Sequence, residues 1–143
     1  MSIKKAKAKW MKVYYVDTNV FLRFLLRDIP TQYTIAEKLF KKAKSGKVKL
    51  VLPQIIIFEI YFILNTFYHL SKPEIIEKIQ SLLAVKYFHV QNKEIFKKAI
   101  KLFEKSNNSL ADCFLLAKAD YAKAELFSFD KKLIALHKKQ KVK

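Results

Sequence analysis

The sequence predicts an α/β fold: a three-layer α/β/α sandwich around a short, mostly parallel sheet of four or five strands. Three observations carry this expectation. Short β-rich runs alternate with helical patterns along the whole chain, which implies parallel strands joined by helical crossovers. Hydrophobic residues make up 52% of 143 residues, enough for one sizeable core. No internal repeat and no linker interrupts the pattern, so residues 11–143 read as a single domain behind a basic flexible tail, residues 1–10.

Taken in order, Lys12–Val16 is a β-rich run that ends abruptly at Asp17. From Thr18 to Arg27, Val20, Phe21, Phe24 and Leu25 recur at helical spacing until Pro30 breaks the pattern. Thr31–Lys44 repeats that spacing and stops at Ser45-Gly46. Lys49–Leu52 is a second strand, and Pro53 suits the opening turn of a helix over Gln54–Leu70. Ser71 is an N-cap, with Pro73 and Glu74 opening a helix through Leu83. Tyr87–Val90 is a strand and Asn92–Lys105 a helix; Ser106–Ser109 is a polar loop. Leu110–Ala122 is a helix, Glu125–Phe129 a strand and Lys131–Lys138 the last helix.

Composition excludes several function classes. The single glycine, Gly46, rules out the dinucleotide fingerprint and the phosphate-cradling P-loop, which need several. One cysteine, Cys113, rules out an internal disulfide framework and multi-cysteine zinc sites, and a reducing cytoplasm is the simplest location. The residues after Lys9 do not form a signal peptide. Leu50–Ser71 is interrupted by Pro53, Gln54, Glu59, Asn65 and His69, so a soluble protein without a membrane span is expected. Lys and Arg total 29 against 12 Asp and Glu, a net charge of +17 that attracts polyanions. Only Arg23 and Arg27 are arginines; lysine binds phosphate as a point charge, so salt-sensitive backbone binding is expected rather than base readout.

In parallel sheets ligands sit at the carboxyl ends of strands. Asp17 and Asp130 each follow a β-run directly. Glu59 stands among Ile55–Phe58 and Ile60–Leu64, in a helix that is apolar all round and therefore reads as buried. A buried carboxylate needs a cationic partner, whether a lysine, an arginine or a metal ion. Asp17, Asp112 and Asp130 also suit helix caps, and Ser109 with Asp112 has capping-box spacing. If the four acids converge, bound cations must relieve their repulsion, and hard oxygen donors without a Cys or His cluster favour Mg²⁺ or Mn²⁺. His69, His89 and His137 show no metal-ligand spacing.

Val16-Asp17-Thr18-Asn19, Glu59 in its apolar helix, Leu110-Ala111-Asp112 and Ser128-Phe129-Asp130 resemble the acidic motifs of the PIN-domain ribonucleases, and in size and order the VapC-like toxins. The resemblance runs from about Met11 to Leu136. It implies that Asp17, Glu59 and Asp112 are the core metal-binding acids and Asp130 a fourth. Ser128 matches the family's threonine or serine two residues before that fourth position. On a strand, Ser128 and Asp130 would share a face. It also implies metal-dependent cleavage of single-stranded RNA, inhibition by a small antitoxin protein, and homodimers. Thr18, Asn19 and Arg23 are candidate supporting residues: Asn19, Arg23 and Arg27 form one helical stripe, lining the cleft or simply solvated with Arg27 near Asp28. Non-catalytic RNA binding and antitoxin-free RNA processing are the alternative functions.

Overall fold

The computed structural model describes residues 11–141; the basic tail, residues 1–10, lies outside them. Among these residues, three strands and seven helices alternate. They are β1 (Lys12–Tyr15), α1 (Thr18–Leu26), α2 (Pro30–Lys44), β2 (Val48–Leu52), α3 (Gln54–Thr66) and α4 (Lys72–Ala84). Then follow β3 (Phe88–Val90), α5 (Lys93–Lys105), α6 (Leu110–Tyr121) and α7 (Lys131–Lys141). The sheet order is β1-β2-β3 with both pairings parallel, so the α/β/α class expected from the alternation holds.

The local chemistry that starts and stops each helix is visible in the chain. Arg27 takes a left-handed conformation (φ 52°) and sends its N–H back to the Arg23 carbonyl, ending α1. Pro30 occupies the first turn of α2, where its missing N–H costs nothing. Gly46, at φ 79°, supplies the left-handed turn that an L side chain rarely adopts, and the chain then enters β2. Ser71 and Glu74 form a complete capping box on α4.

One face of the sheet is core. Leu50, Leu52 and Phe88 are buried there, and Phe88 meets Phe21 of α1 at 5.4 Å and Phe40 of α2 at 4.9 Å between ring centroids. A second aromatic cluster joins α3, α5 and α6: Phe58 lies 5.3 Å from Phe96 and 5.2 Å from Phe114. These two clusters fix the helices around the sheet.

The expected fourth strand does not form. Glu125–Phe129 takes no strand pairing, and Phe127 and Phe129 point to solvent, stacked edge-on against each other at 5.7 Å. The Phe-Ser-Phe alternation has the local propensity of a strand, but a strand exists only with a paired neighbour. The sheet described therefore has three strands rather than four or five.

Candidate active site

Asp17 follows β1 at the carboxyl edge of the sheet, where its extended backbone (φ −75°, ψ 158°) makes it the N-cap of α1. Its side chain accepts the Thr18 N–H at 2.8 Å and is otherwise exposed. Thr18 is buried, and its hydroxyl has no hydrogen-bond partner among the described residues. Thr18 is thus a buried position at the start of α1, whereas Asn19 is on the surface.

Glu59 corrects the expectation of burial. In α3 the fully buried positions are Ile57, Ile60 and Leu64. Ile55, Glu59 and Phe62, spaced four and three apart, form the outward stripe, with Ile55 71% and Phe62 57% exposed. An apolar composition all round this helix does not bury it all round. The Phe58–Phe114 contact nevertheless sets the α3 turn bearing Glu59 beside the first turns of α6, which carry Asp112.

Asp112 is half-buried, and its N–H donates to Ser109 Oγ at 3.0 Å, the N-cap bond expected from the Ser-x-x-Asp spacing. Asp130 is exposed and caps α7: its Oδ1 accepts from the N–H groups of Lys132 (2.9 Å) and Leu133 (3.3 Å). Ser128 Oγ accepts the Asp130 N–H at 3.0 Å. Because no strand forms here, Ser128 and Asp130 are joined by this turn and not by a shared strand face.

Arg23 is held inside the fold. Its guanidinium pairs with Asp28 at 3.3 Å and donates to the Tyr68 hydroxyl at 3.0 Å, leaving 12% of the side chain exposed. It is therefore Arg23, and not Arg27, that pairs with Asp28; Arg27 lies 5.0 Å over the Tyr33 ring. Asn19 and Arg23 line a mostly apolar cleft of about 210 Å³ between α1 and α2, together with Ile35 and Leu39.

An amide cluster at the same sheet edge escaped the sequence reading. Gln91 Oε1 accepts the Gln54 N–H at 2.9 Å, and Asn92 Nδ2 donates to Gln54 Oε1. These contacts tie the start of α3 to the end of β3. Gln54 and Asn92 are 38 positions apart, and no local spacing rule connects them.

The donor chemistry of Asp17, Glu59, Asp112 and Asp130, all hard carboxylate oxygens, suits a hard divalent cation, and none of the four enters an ion pair among the described residues. The geometry does not assemble a cage: among the described residues no three His, Cys, Asp or Glu side chains are grouped to hold a metal ion. No described helix is long and apolar enough to cross a membrane.

Comparison with known proteins bears on the same residues. A family profile described as PIN domain matches residues 14–139. A VapC ribonuclease of Aquifex aeolicus (strain VF5) is 31% identical over 104 residues, covering 73% of this chain and 76% of that protein. No solved structure matches significantly. With all four acids inside the matched span and in the motif order, the chain belongs to the PIN-domain family and is VapC-like within it.

Proposed function

We propose that this chain is an Mg²⁺- or Mn²⁺-dependent endoribonuclease that hydrolyses phosphodiester bonds of single-stranded RNA, acting in the cytoplasm as the toxin of a toxin–antitoxin pair. The observation that carries the reading is that Asp17, Glu59, Asp112 and Asp130 all fall, in motif order, within the span matched by the PIN-domain profile, in a chain whose net charge of +17 attracts polyanions.

Asp17, Glu59 and Asp112 would hold the metal, with Asp130 as the fourth acid. A bound divalent ion supplies charge neutralisation at the phosphate and a more acidic water. The chain's own contribution is positional. The N-cap bonds of Asp17 and Ser109 fix two of the acids at helix starts, and the Gln54–Gln91–Asn92 cluster ties the start of α3, the helix that carries Glu59, to the end of β3. Asn19 stands one residue inside α1 for substrate contact, whereas Arg23 supports that helix through Asp28 and Tyr68. Ser128 orients Asp130. A small antitoxin protein and a second copy of the chain are the expected partners; the exposed Ile55–Phe62 stripe beside Glu59 is consistent with either.

The ungrouped acids favour one second reading, a PIN-type module that binds RNA without cutting it. The test is incubation of a labelled single-stranded RNA with Mg²⁺ or Mn²⁺, against EDTA and against Asp17→Asn/Asp112→Asn. Metal-dependent cleavage that falls at least about a hundredfold in the double variant, close to 3 kcal/mol of barrier, supports the nuclease. RNA bound but intact with every metal supports the binding module.

A further inference from the structure

Among the described residues, part of the second face of the sheet is exposed where the first is packed. Register places Tyr15, Val51 and His89 side by side across the three strands, with Lys49 one row behind. Opposite them, the Tyr14–Leu50–Phe88 row belongs to the core. Tyr15 is 75% exposed, and His89 is also exposed. Parallel sheets occur almost only with both faces covered, so a stretch left exposed among the described residues is a candidate surface for an occupant.

The chemistry of that stretch is specific. It is a shallow depression of about 570 Å³ whose walls include Tyr15, Lys49, Lys86, His89 and Lys93 and no acidic residue. Lys49, Lys86 and Lys93 take part in no ion pair among the described residues. An exposed aromatic ring among unpaired cations suits a polyanion that also carries flat, stackable groups. The depression reaches Pro53 and Gln91 at the carboxyl edge, and Tyr15 stands two residues before Asp17.

We propose that this open sheet face is a single-stranded RNA-binding track, in which Tyr15 stacks on a base, Lys49, Lys86 and Lys93 hold backbone phosphates, and the strand is led over the sheet edge towards Asp17. The proposal rests on the RNA reading of the preceding section and locates where the substrate is gripped outside the acids. Lysine contacts without arginine forks make the track tolerant of sequence.

The test is fluorescence anisotropy of a short fluorescein-labelled single-stranded RNA of mixed sequence, titrated with the full chain in EDTA at several salt concentrations. Lys49→Gln/Lys86→Gln/Lys93→Gln is expected to weaken binding about tenfold or more and to flatten the log K against log salt slope by about 2, at roughly 0.7 for each phosphate contact in a single strand. Lys101→Gln/Lys105→Gln/Lys138→Gln, three exposed lysines outside the depression, should leave both nearly unchanged. Tyr15→Ala, at an exposed position that the fold does not need, should weaken binding about fivefold or more with the slope retained.

Equal losses in the two lysine triples overturn the track, because charge alone then explains binding. So does an unmoved RNA affinity accompanied by a change of sedimentation coefficient, which would make the face an interface between copies. Wild-type protein that binds no RNA also overturns it. The nuclease reading fails separately, when RNA bound in EDTA stays intact after Mg²⁺ or Mn²⁺ is added.

Discussion

Arg23 Nη2 donates to the Tyr68 hydroxyl at 3.0 Å across 45 positions of sequence, tying the last turns of α1 to the segment just after α3. The same hydroxyl donates to Asp28 Oδ2 at 3.2 Å, and Asp28 closes the triangle by its ion pair with Arg23. The helices that start at Asp17 and carry Glu59 are thereby fastened at their far ends as well as at the sheet edge. Relative placement of two candidate acids depends on this clamp.

Removing one member should loosen that placement without touching an acid. Tyr68→Phe deletes two hydrogen bonds to charged groups and keeps the ring, so it should cost about 1–3 kcal/mol of stability. Arg23→Gln leaves Asp28 without its cation and should cost a similar amount. Chemical denaturation of both single variants and the double should give a coupling energy of at least about 0.5 kcal/mol, as residues sharing one network do. Additive losses would mean that the triangle is not a unit.

Asp17 caps α1, and the proposed function gives it a second, separable role as a metal ligand. Asn caps a helix about as well as Asp, so Asp17→Asn should shift stability by less than about 0.5 kcal/mol. It lacks the negative charge that a divalent ion requires, so metal-dependent RNA cleavage should fall by two orders of magnitude or more, about 3 kcal/mol. Asp17→Ala should lose the cap as well and unfold about 1 kcal/mol more easily. Thermal melts and cleavage rates on the same three proteins separate cap from ligand.

Glu59 is exposed and enters no ion pair among the described residues, which inverts what burial would have predicted for its replacement. Glu59→Gln should leave stability within about 0.5 kcal/mol, as surface changes do. Loss of a buried paired charge would instead cost about 3–5 kcal/mol. Cleavage should still fall in this variant. An inert Glu59→Gln, in stability and in activity alike, would remove Glu59 from the site.

These substitutions also mark how far the sequence could be read. Asp17, Ser71 and Ser109 were legible as caps because capping is a contact between neighbours in the chain, and all three hold in the structure. Helix and strand order was legible for the same reason. The exposed side of α3 was not, because composition cannot tell which of several apolar stripes meets the core; Ile57, Ile60 and Leu64 do, whereas Ile55 and Phe62 do not. Glu125–Phe129 was misread as a strand because its propensity is local and its pairing is not. Arg23 with Tyr68, and Gln54 with Asn92, join residues distant in sequence, and no spacing rule reaches them.

Ser109 links a local cap to the candidate chemistry. Its hydroxyl accepts the Asp112 N–H, so Ser109→Ala should cost about 1 kcal/mol of stability and fray the first turn of α6. Cleavage should decline less than in Asp112→Asn, because the carboxylate remains while its position loosens. Ser109→Asp, which can restore the cap, should recover stability. Recovery of stability without any recovery of cleavage would show that the cap does not position Asp112.

Cys113, next to Asp112, gives a pH signature of the same turn. Burial pushes its thiol above the ordinary range, against the opposing effects of the Ser106 hydroxyl and the Lys72 charge, with Asp112 adding to the rise. The folded state thus holds the thiol proton more tightly than the unfolded chain, whose thiol titrates near about 8.5. Below that pH both states are protonated and stability is unaffected. As pH rises past it, the unfolded chain loses its proton first, so stability declines, by at most about 1.4 kcal/mol per pH unit, until the folded thiol also titrates. Thermal midpoints from neutral to alkaline pH should therefore fall more steeply for the wild type than for Cys113→Ala, whose packing loss is a constant offset. The native thiol should resist a water-soluble disulfide reagent and react on unfolding, since it is wholly buried. Parallel pH profiles together with rapid native labelling would place Cys113 at a surface, and the first turns of α6 would have to pack differently.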